Sequence, residues 1–321
     1  MGAPVTPFGL ISLLLMLQVP SGQPRTDGTI VRVEPYVYPA QGAFTPQQIA
    51  DRDHYYPNVA AYEHAAEALK TSTNVLETIT YSSDGLKVKA YLYRPRDPGT
   101  QRYPVIVLAR GDMQHGDIGF LYAPYFERLS PYGFLIVAPQ YRQSAGGEGH
   151  DEMGGADVDD VMNLARVIQQ LPYADARNVF MYGDGRGGMM TYQAIRYHFP
   201  MNAAATVGAF SNLEELFTTD SILRKARDTL FPDYARRHAQ INAKRSAILW
   251  AADLRTPLLL MHGAADTQVP AMQTLELAEA LDRLKLPYSV VIYADDKAGA
   301  SHNRLDRDAR AIAWFRAHMA Q

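Results

Sequence analysis

Two kinds of apolar pattern alternate along most of the chain. Residues 104–109 (PVIVLA), 134–138 (FLIVA), 203–207 (AAATV), 257–261 (PLLLM) and 288–293 (YSVVIY) are short, nearly continuous apolar runs. Runs of that kind are expected of central parallel strands covered on both faces. Residues 179–182 (VFMY) add another, and 75–81 and 86–94 form two strands joined at Asp84-Gly85, the strongest short hairpin signal in the chain. Helical spacing of apolar residues predicts helices over 59–70, 122–129, 158–170, 189–198, 271–284 and 305–318.

The order that results is an initial hairpin followed by alternating strands and helices, eight strands in all. That order predicts an α/β fold: one doubly wound, mostly parallel eight-stranded sheet with helices on both faces. Residues 212–250 break the alternation with charged, helical sequence. An insertion there would lie over the carboxyl ends of the strands, where such sheets bind ligands. Residues 23–57 are rich in Pro, Gly, Gln and Tyr without sustained periodicity and read as an extended arm, so 23–74 is divided as arm and helix and 75–321 as the main domain.

Composition narrows the function classes. At 321 residues and 47% hydrophobic content the chain can bury a full core. A net charge of -3 gives no electrostatic case for nucleic acid. Residues 8–19 (FGLISLLLMLQV) are uncharged and apolar, too short to span a bilayer and near the length of a signal-peptide core. With small residues following at Val19-Pro20-Ser21, residues 1–22 are expected to be a signal peptide and the protein exported, with no integral span after processing. A positive segment ahead of the apolar run is missing. There is no cysteine, hence no disulfide framework or thiol chemistry. His115, His150 and His262 show no metal-ligand spacing, so no metal or cofactor is expected.

The candidate chemistry lies in Gly183-Asp184-Gly185-Arg186-Gly187-Gly188, between a predicted strand and a predicted helix. A strand that turns so sharply into a helix needs very small residues two before and two after the apex. Gly183 and Gly187 meet that need and make Gly185 the apex. Were Asp184 the apex, its two-away neighbours would be Tyr182 and Arg186, too bulky for the crossing. Gly183, Gly185 and Gly188 also spell a dinucleotide-binding glycine pattern, which expects an acidic residue about 20 positions on. The run after 203–207 has nothing acidic before Glu214, so that reading is set aside.

Four segments together resemble the α/β-hydrolase fold and, within it, the catalytic domain of the prolyl oligopeptidase (S9) family. Gly154-Gly155-Ala156-Asp157-Val158-Asp159-Asp160 is similar to the family's G-x-x-D-x-x-D stretch, and 183–188 matches G-x-S-x-G-G except at the apex. Residues 262–270 (HGAADTQVP) match H-G-x-x-D-x-x-V-P, and Ala300-Ser301-His302 sits where the histidine loop belongs. The resemblance covers residues 75 to 321. What precedes is too short for the β-propeller of the long members.

It implies His302 as general base, Asp266 as the carboxylate that orients it, and Gly185 at the nucleophile position. The oxyanion hole would use the backbone N–H groups of Arg186 and Asp112. The family's loop carries H-G-G where this chain has Arg110-Gly111-Asp112, and a carboxylate there opposes a developing oxyanion unless turned away or paired with Arg110. The ligand implied is a small ester or a peptide-like molecule. Because the apex lacks a hydroxyl, three readings stay open: a hydrolase-family protein unable to form an acyl-enzyme, a hydrolase using water activated by His302 or the hydroxyl of Ser144 or Ser211, and a non-catalytic binding or interaction protein.

Overall fold

The computed structural model describes residues 27–37, 64, 67–69, 71–111 and 125–321. Among the described residues nine strands form one sheet in the order β1-β2-β3-β5-β4-β6-β7-β8-β9. They are β1 (Ile30–Pro35), β2 (Asn74–Ser83), β3 (Leu86–Pro95), β4 (Tyr103–Ala109), β5 (Leu135–Pro139), β6 (Ala174–Asp184), β7 (Ala203–Val207), β8 (Leu258–Gly263) and β9 (Tyr288–Tyr293). β1, β2, β3 and β5 pair antiparallel in turn, and every pairing from β5 through β4 to β9 is parallel. The eight predicted strands are all present. The ninth, β1, comes from the predicted arm, whose valines and lack of helical spacing suit an edge strand.

The helices are α1 (Val158–Met162), α2 (Leu164–Gln170), α3 (Arg186–Arg196), α4 (Leu213–Thr219), α5 (Ser221–Leu230), α6 (Tyr234–Arg245), α7 (Ala271–Arg283) and α8 (Arg304–Ala317), with residues 125–129 also helical. The helix expected over 158–170 is divided at Asn163, whose N–H still bonds to Asp159 O. Of the helix expected over 59–70, residues 64 and 67–69 are helical and the rest lies outside the described residues. Helices α4, α5 and α6 occupy the stretch that interrupts the alternation. No helix among the described residues is long and apolar enough to cross a membrane; residues 8–19 lie outside them.

Because central strands bury both faces, the core is two clusters on opposite sides of the sheet. On one side Val105, Val107, Val179, Met181 and Leu260 pack under α1, α2, α3 and α7. On the other, Ile106, Phe180, Tyr182 and Met261 pack under residues 125–129 and α8, with Phe180 stacked on Phe315 at 5.0 Å.

The antiparallel hairpin is tied to the helical layer through a buried ion pair. Asp160 on α1 accepts from Ser83 Oγ (2.6 Å), from the Arg142 backbone N–H (2.7 Å) and from Arg142 Nη2 (2.8 Å). Both charges are buried, so Asp160 depends on Arg142 to replace its lost hydration, and Arg142 on Asp160 and on Asp84 at 2.8 Å. Replacing Asp160 by Ala should therefore cost about 3 kcal/mol of unfolding free energy, since it leaves the Arg142 guanidinium with only the more exposed Asp84 carboxylate, at 2.8 Å, as charged partner, and urea unfolding at neutral pH measures it.

Candidate active site

β6 lies between β4 and β7, with Gly183 opposite Ala109 and Thr206 in the two ladders. At its end the chain turns through Gly185, at φ 51°, ψ -113°, into α3. This backbone region is one that side chains rarely adopt. The Gly185 N–H donates to Val207 O at 2.9 Å, and its carbonyl accepts from the Gly188 N–H at 3.0 Å. A Cβ at Gly183 would lie 2.4 Å from Gly187 O, and one at Gly187 only 1.8 Å from Ala109 O. Both contacts are with backbone that cannot yield. Among the described residues, a Cβ at Gly185 would meet only the Gly111 Cα, at 3.9 Å. The apex thus has room for a side chain and its flanks have none.

Arg186 heads α3, and its N–H is among the first-turn donors that have no intrahelical acceptor. Its side chain turns into the interior. The guanidinium bonds to both oxygens of Asp151 (2.8 and 2.5 Å) and to Asp157 (2.8 Å), and lies over the Tyr141 ring at 4.6 Å. Asp157 in turn accepts from the N–H groups of Gly154 and Gly155, which is the work its glycine-rich stretch performs. Burial alone would raise the Asp151 carboxyl, but the Arg186 charge and hydrogen bonds, with the Met153 N–H, hold it below its ordinary value.

The loop after β4 approaches the apex closely, as a Cβ at Gly111 would lie 2.6 Å from Asp184 O. Asp112, the predicted second oxyanion donor, lies outside the described residues. The Arg110 guanidinium is fully buried, donates to Gln140 O (2.8 Å) and Ser144 Oγ (2.9 Å), and lies over Tyr141 at 4.9 Å. The Ser211 hydroxyl donates to Gln273 O at 2.9 Å. Ser144 and Ser211, considered as alternative nucleophiles, are both buried and engaged in these bonds.

Asp266 follows β8 and is buried. Its Oδ1 accepts from the N–H groups of Gln268 (2.8 Å) and Val269 (3.0 Å), while Oδ2 lies 3.5 Å from His262 Nε2. His262 is itself held by Thr274 Oγ1 (2.7 Å) and Val269 O (2.9 Å) inside the core, a structural placement. His150 is exposed, and His115 lies outside the described residues.

His302 lies on the loop after β9, and this loop is laced to that of Asp266: the Ala265 N–H donates to Asp296 O at 2.8 Å. The two side chains are nevertheless apart. The imidazole is 63% exposed, with Nδ1 3.6 Å from Asp296 Oδ1, and among the described residues no hydrogen bond joins it to Asp266. The structure thus brings Gly185, Arg186 and the Asp266 and His302 loops to one end of the sheet without closing a carboxylate–imidazole contact between the predicted pair.

Two organising groups escaped the sequence reading. Asp296, fully buried, accepts from the N–H groups of Lys297, His302 and Asn303 and from Asn303 Nδ2, all at 2.9–3.0 Å. Burial pushes its carboxyl up, and these donors outweigh burial and leave it below the ordinary carboxylate value. Asp184, beside the apex, accepts from Tyr125 Oη at 2.8 Å; Arg307 Nη1 donates to Gly299 O, and Arg307 Nε to Asp308 at 2.9 Å. Nothing in the spacing of D-D-K-A-G-A-S-H distinguishes a loop staple from a solvated acid, so these roles had no sequence signal. Among the described residues no cluster of three or more His, Asp or Glu is placed to hold a metal.

A doubly wound sheet with a glycine turn at its carboxyl end, and acidic and histidine loops beside it, is the arrangement of the α/β-hydrolase fold. The chain belongs to the prolyl oligopeptidase family, whose model matches residues 126–321. It is 27% identical over 220 residues to the uncharacterized peptidase YtmA of Bacillus subtilis, covering 68% of this chain and 84% of that protein. It is 25% identical to the human acylamino-acid-releasing enzyme, covering 76% of this chain but only 35% of that one. Among solved structures, the uncomplexed acylaminoacyl peptidase of Pyrococcus horikoshii superposes with a TM-score of 0.64 at 20% identity, over 81% of this chain and 44% of that one. A Pyrococcus furiosus esterase gives 0.59 at 12% identity, over 76% and 91%. The homologues are peptidase-like hydrolases.

The Arg186 network makes a stability prediction with a defined sign. Because the folded Asp151 carboxyl titrates below its unfolded value near 4, its contribution is complete above that pH and is lost as pH falls through the folded value. Arg186→Met should lower stability at pH 7 by about 3–5 kcal/mol and flatten the acid limb of the stability–pH curve, as read by denaturant titrations between pH 3 and 7.

Proposed function

We propose that this chain is a serine-hydrolase scaffold in which Gly185 occupies the nucleophile position, and that it binds a small ester or peptide-like acyl ligand without forming an acyl-enzyme. The observation that carries the reading is the apex itself. Gly185 has the strained backbone of a nucleophile-bearing turn, flanked by glycines that tolerate no Cβ, yet its own Cβ direction is open among the described residues. Loss of the serine from such a site costs about a millionfold in kcat. Glycine at the apex also avoids a backbone penalty of about 1–3 kcal/mol, so the fold does not depend on the missing group. The Arg186 N–H at the head of α3 supports retention of an oxyanion-type donor, and Asp266 and His302 supply the carboxylate and imidazole. Export, read from residues 8–19, is part of the same proposal and is tested by the mature N-terminus in the native host.

Gly185→Ser is expected to introduce ester hydrolysis and labelling by a fluorophosphonate probe. The gain should be partial, on the order of a hundredfold over the wild type, because the His302 imidazole must leave Asp296 to serve as base. Gly185→Ser/Asp112→Gly should exceed the single change, and His302→Ala should abolish the gain in either. Equal turnover in the wild type and Gly185→Ser, indifferent to His302→Ala, would place the chemistry elsewhere.

A further inference from the structure

Among the described residues β1 is the outermost strand on its side of the sheet, and it carries exposed valines. Val31 is 53% and Val33 41% exposed. Its pairing with β2 fixes which backbone groups face outward. The Tyr36 N–H donates to Leu76 O at 3.0 Å, and the register continues through Glu34 opposite Thr78 and Val33 opposite Ile79. Hydrogen-bonding direction alternates along an antiparallel strand, so Tyr36, Glu34 and Arg32 point their N–H and C=O groups at β2 and Val33 points its own away from the sheet.

The side chains around Val33 are complementary to their own two-fold image. Arg32 and Glu34 project from one face, where they form an ion pair at 2.7 Å with side chains 70% and 31% exposed. If a second β1 pairs antiparallel about Val33, the outward N–H and C=O of Val33 exchange bonds with Val33 of the second copy. Arg32 then lies directly opposite Glu34 of the second copy, and Glu34 opposite its Arg32. The intrachain ion pair becomes a four-charge cluster of alternating sign, and the two Val33 side chains meet on the other face. Opposite charges directly across a ladder are favourable and like charges are not, so this register is selected over its neighbours. Pro35, which has no N–H, and the bulge between Ile30 and Arg32 bound the segment and stop the edge from extending into longer pairings.

We infer that β1 is a self-association edge, through which two copies of this chain join their sheets about a two-fold axis at Val33. A short isologous contact of this kind gives a weak, concentration-dependent dimer. Nothing in the inference depends on whether the site turns over substrate.

The test is sedimentation of the full chain across a micromolar concentration series. The wild type should pass from monomer to dimer as concentration rises, and added salt should weaken the dimer. Arg32→Glu places like charges opposite each other twice per dimer and should weaken association about tenfold or more, while Arg32→Glu/Glu34→Arg should restore it. Because the chain has no cysteine, register can be read directly. Arg32→Cys mixed with Glu34→Cys should form a disulfide-linked heterodimer under mild oxidation, since a directly opposed pair of this type has Cα atoms about 4.5 Å apart, within disulfide range. Each variant alone should cross-link far less. Arg32 is exposed and Glu34 half-buried, and circular dichroism of each variant checks that the fold is kept. A wild type monomeric throughout the series, or a dimer indifferent to Arg32→Glu with no heterodimer cross-link, would overturn the inference. The second result would leave some other surface as the contact.

Discussion

Among the described glycines, the tightest approach is backbone against backbone where α3 crosses the ends of β4 and β6. A Cβ at Gly187 would stand 1.8 Å from Ala109 O, so helix and strand meet at a distance that only glycine permits. Much else follows from that contact. It sets the apex at Gly185, brings the loop after β4 against Asp184 O, and lets the Gly185 N–H reach Val207 O on the next strand. The chain end of β6 is thereby held from both sides, and a strained φ/ψ pair persists because its surroundings over-determine it.

Beneath the crossing, charge rather than apolar packing holds the loops. Residues 141–153 carry positive φ at Tyr141, Gln143, Ala145 and Met153, each a non-glycine residue in a disfavoured region. Arg110 and Arg186 both lie over the Tyr141 ring, and Tyr141 Oη bonds back to Arg110 O at 3.1 Å. Asp151 and Asp157 neutralise Arg186 where water is excluded. Such a network is specific because every member must be matched; a buried guanidinium without its carboxylate is far costlier than an apolar replacement of the pair. Its position directly under the head of α3 means that the Arg186 side chain is anchored by carboxylates distant in sequence.

The two loops of the predicted base and its carboxylate are organised separately. Asp266 spends one oxygen on its own turn, and Asp296 gathers the histidine loop through its donors. Arg307 and Asp184 then brace Gly299 from the side of α8 and the apex. A base presented by such a loop is placed by backbone hydrogen bonds, so its imidazole can point to solvent while the loop stays packed.

What the sequence determined by itself was periodicity and sterics. Continuous apolar runs marked the parallel strands because both faces of a central strand are buried, and the spacing of Gly183, Gly185 and Gly187 marked the apex because a crossing that tight excludes side chains. Asp84-Gly85 marked the hairpin for an equally local reason. The tertiary structure alone decided what distant groups do to each other: that the arm adds β1 at the edge, that Arg186 turns inward to Asp151 and Asp157, that Asp296 staples the histidine loop, and that His302 faces Asp296 and not Asp266. Local backbone preference and apolar pattern act over a few residues and are written in them. The partner of a buried charge is set by which loops the sheet order brings to the same end, and no spacing along the chain records that.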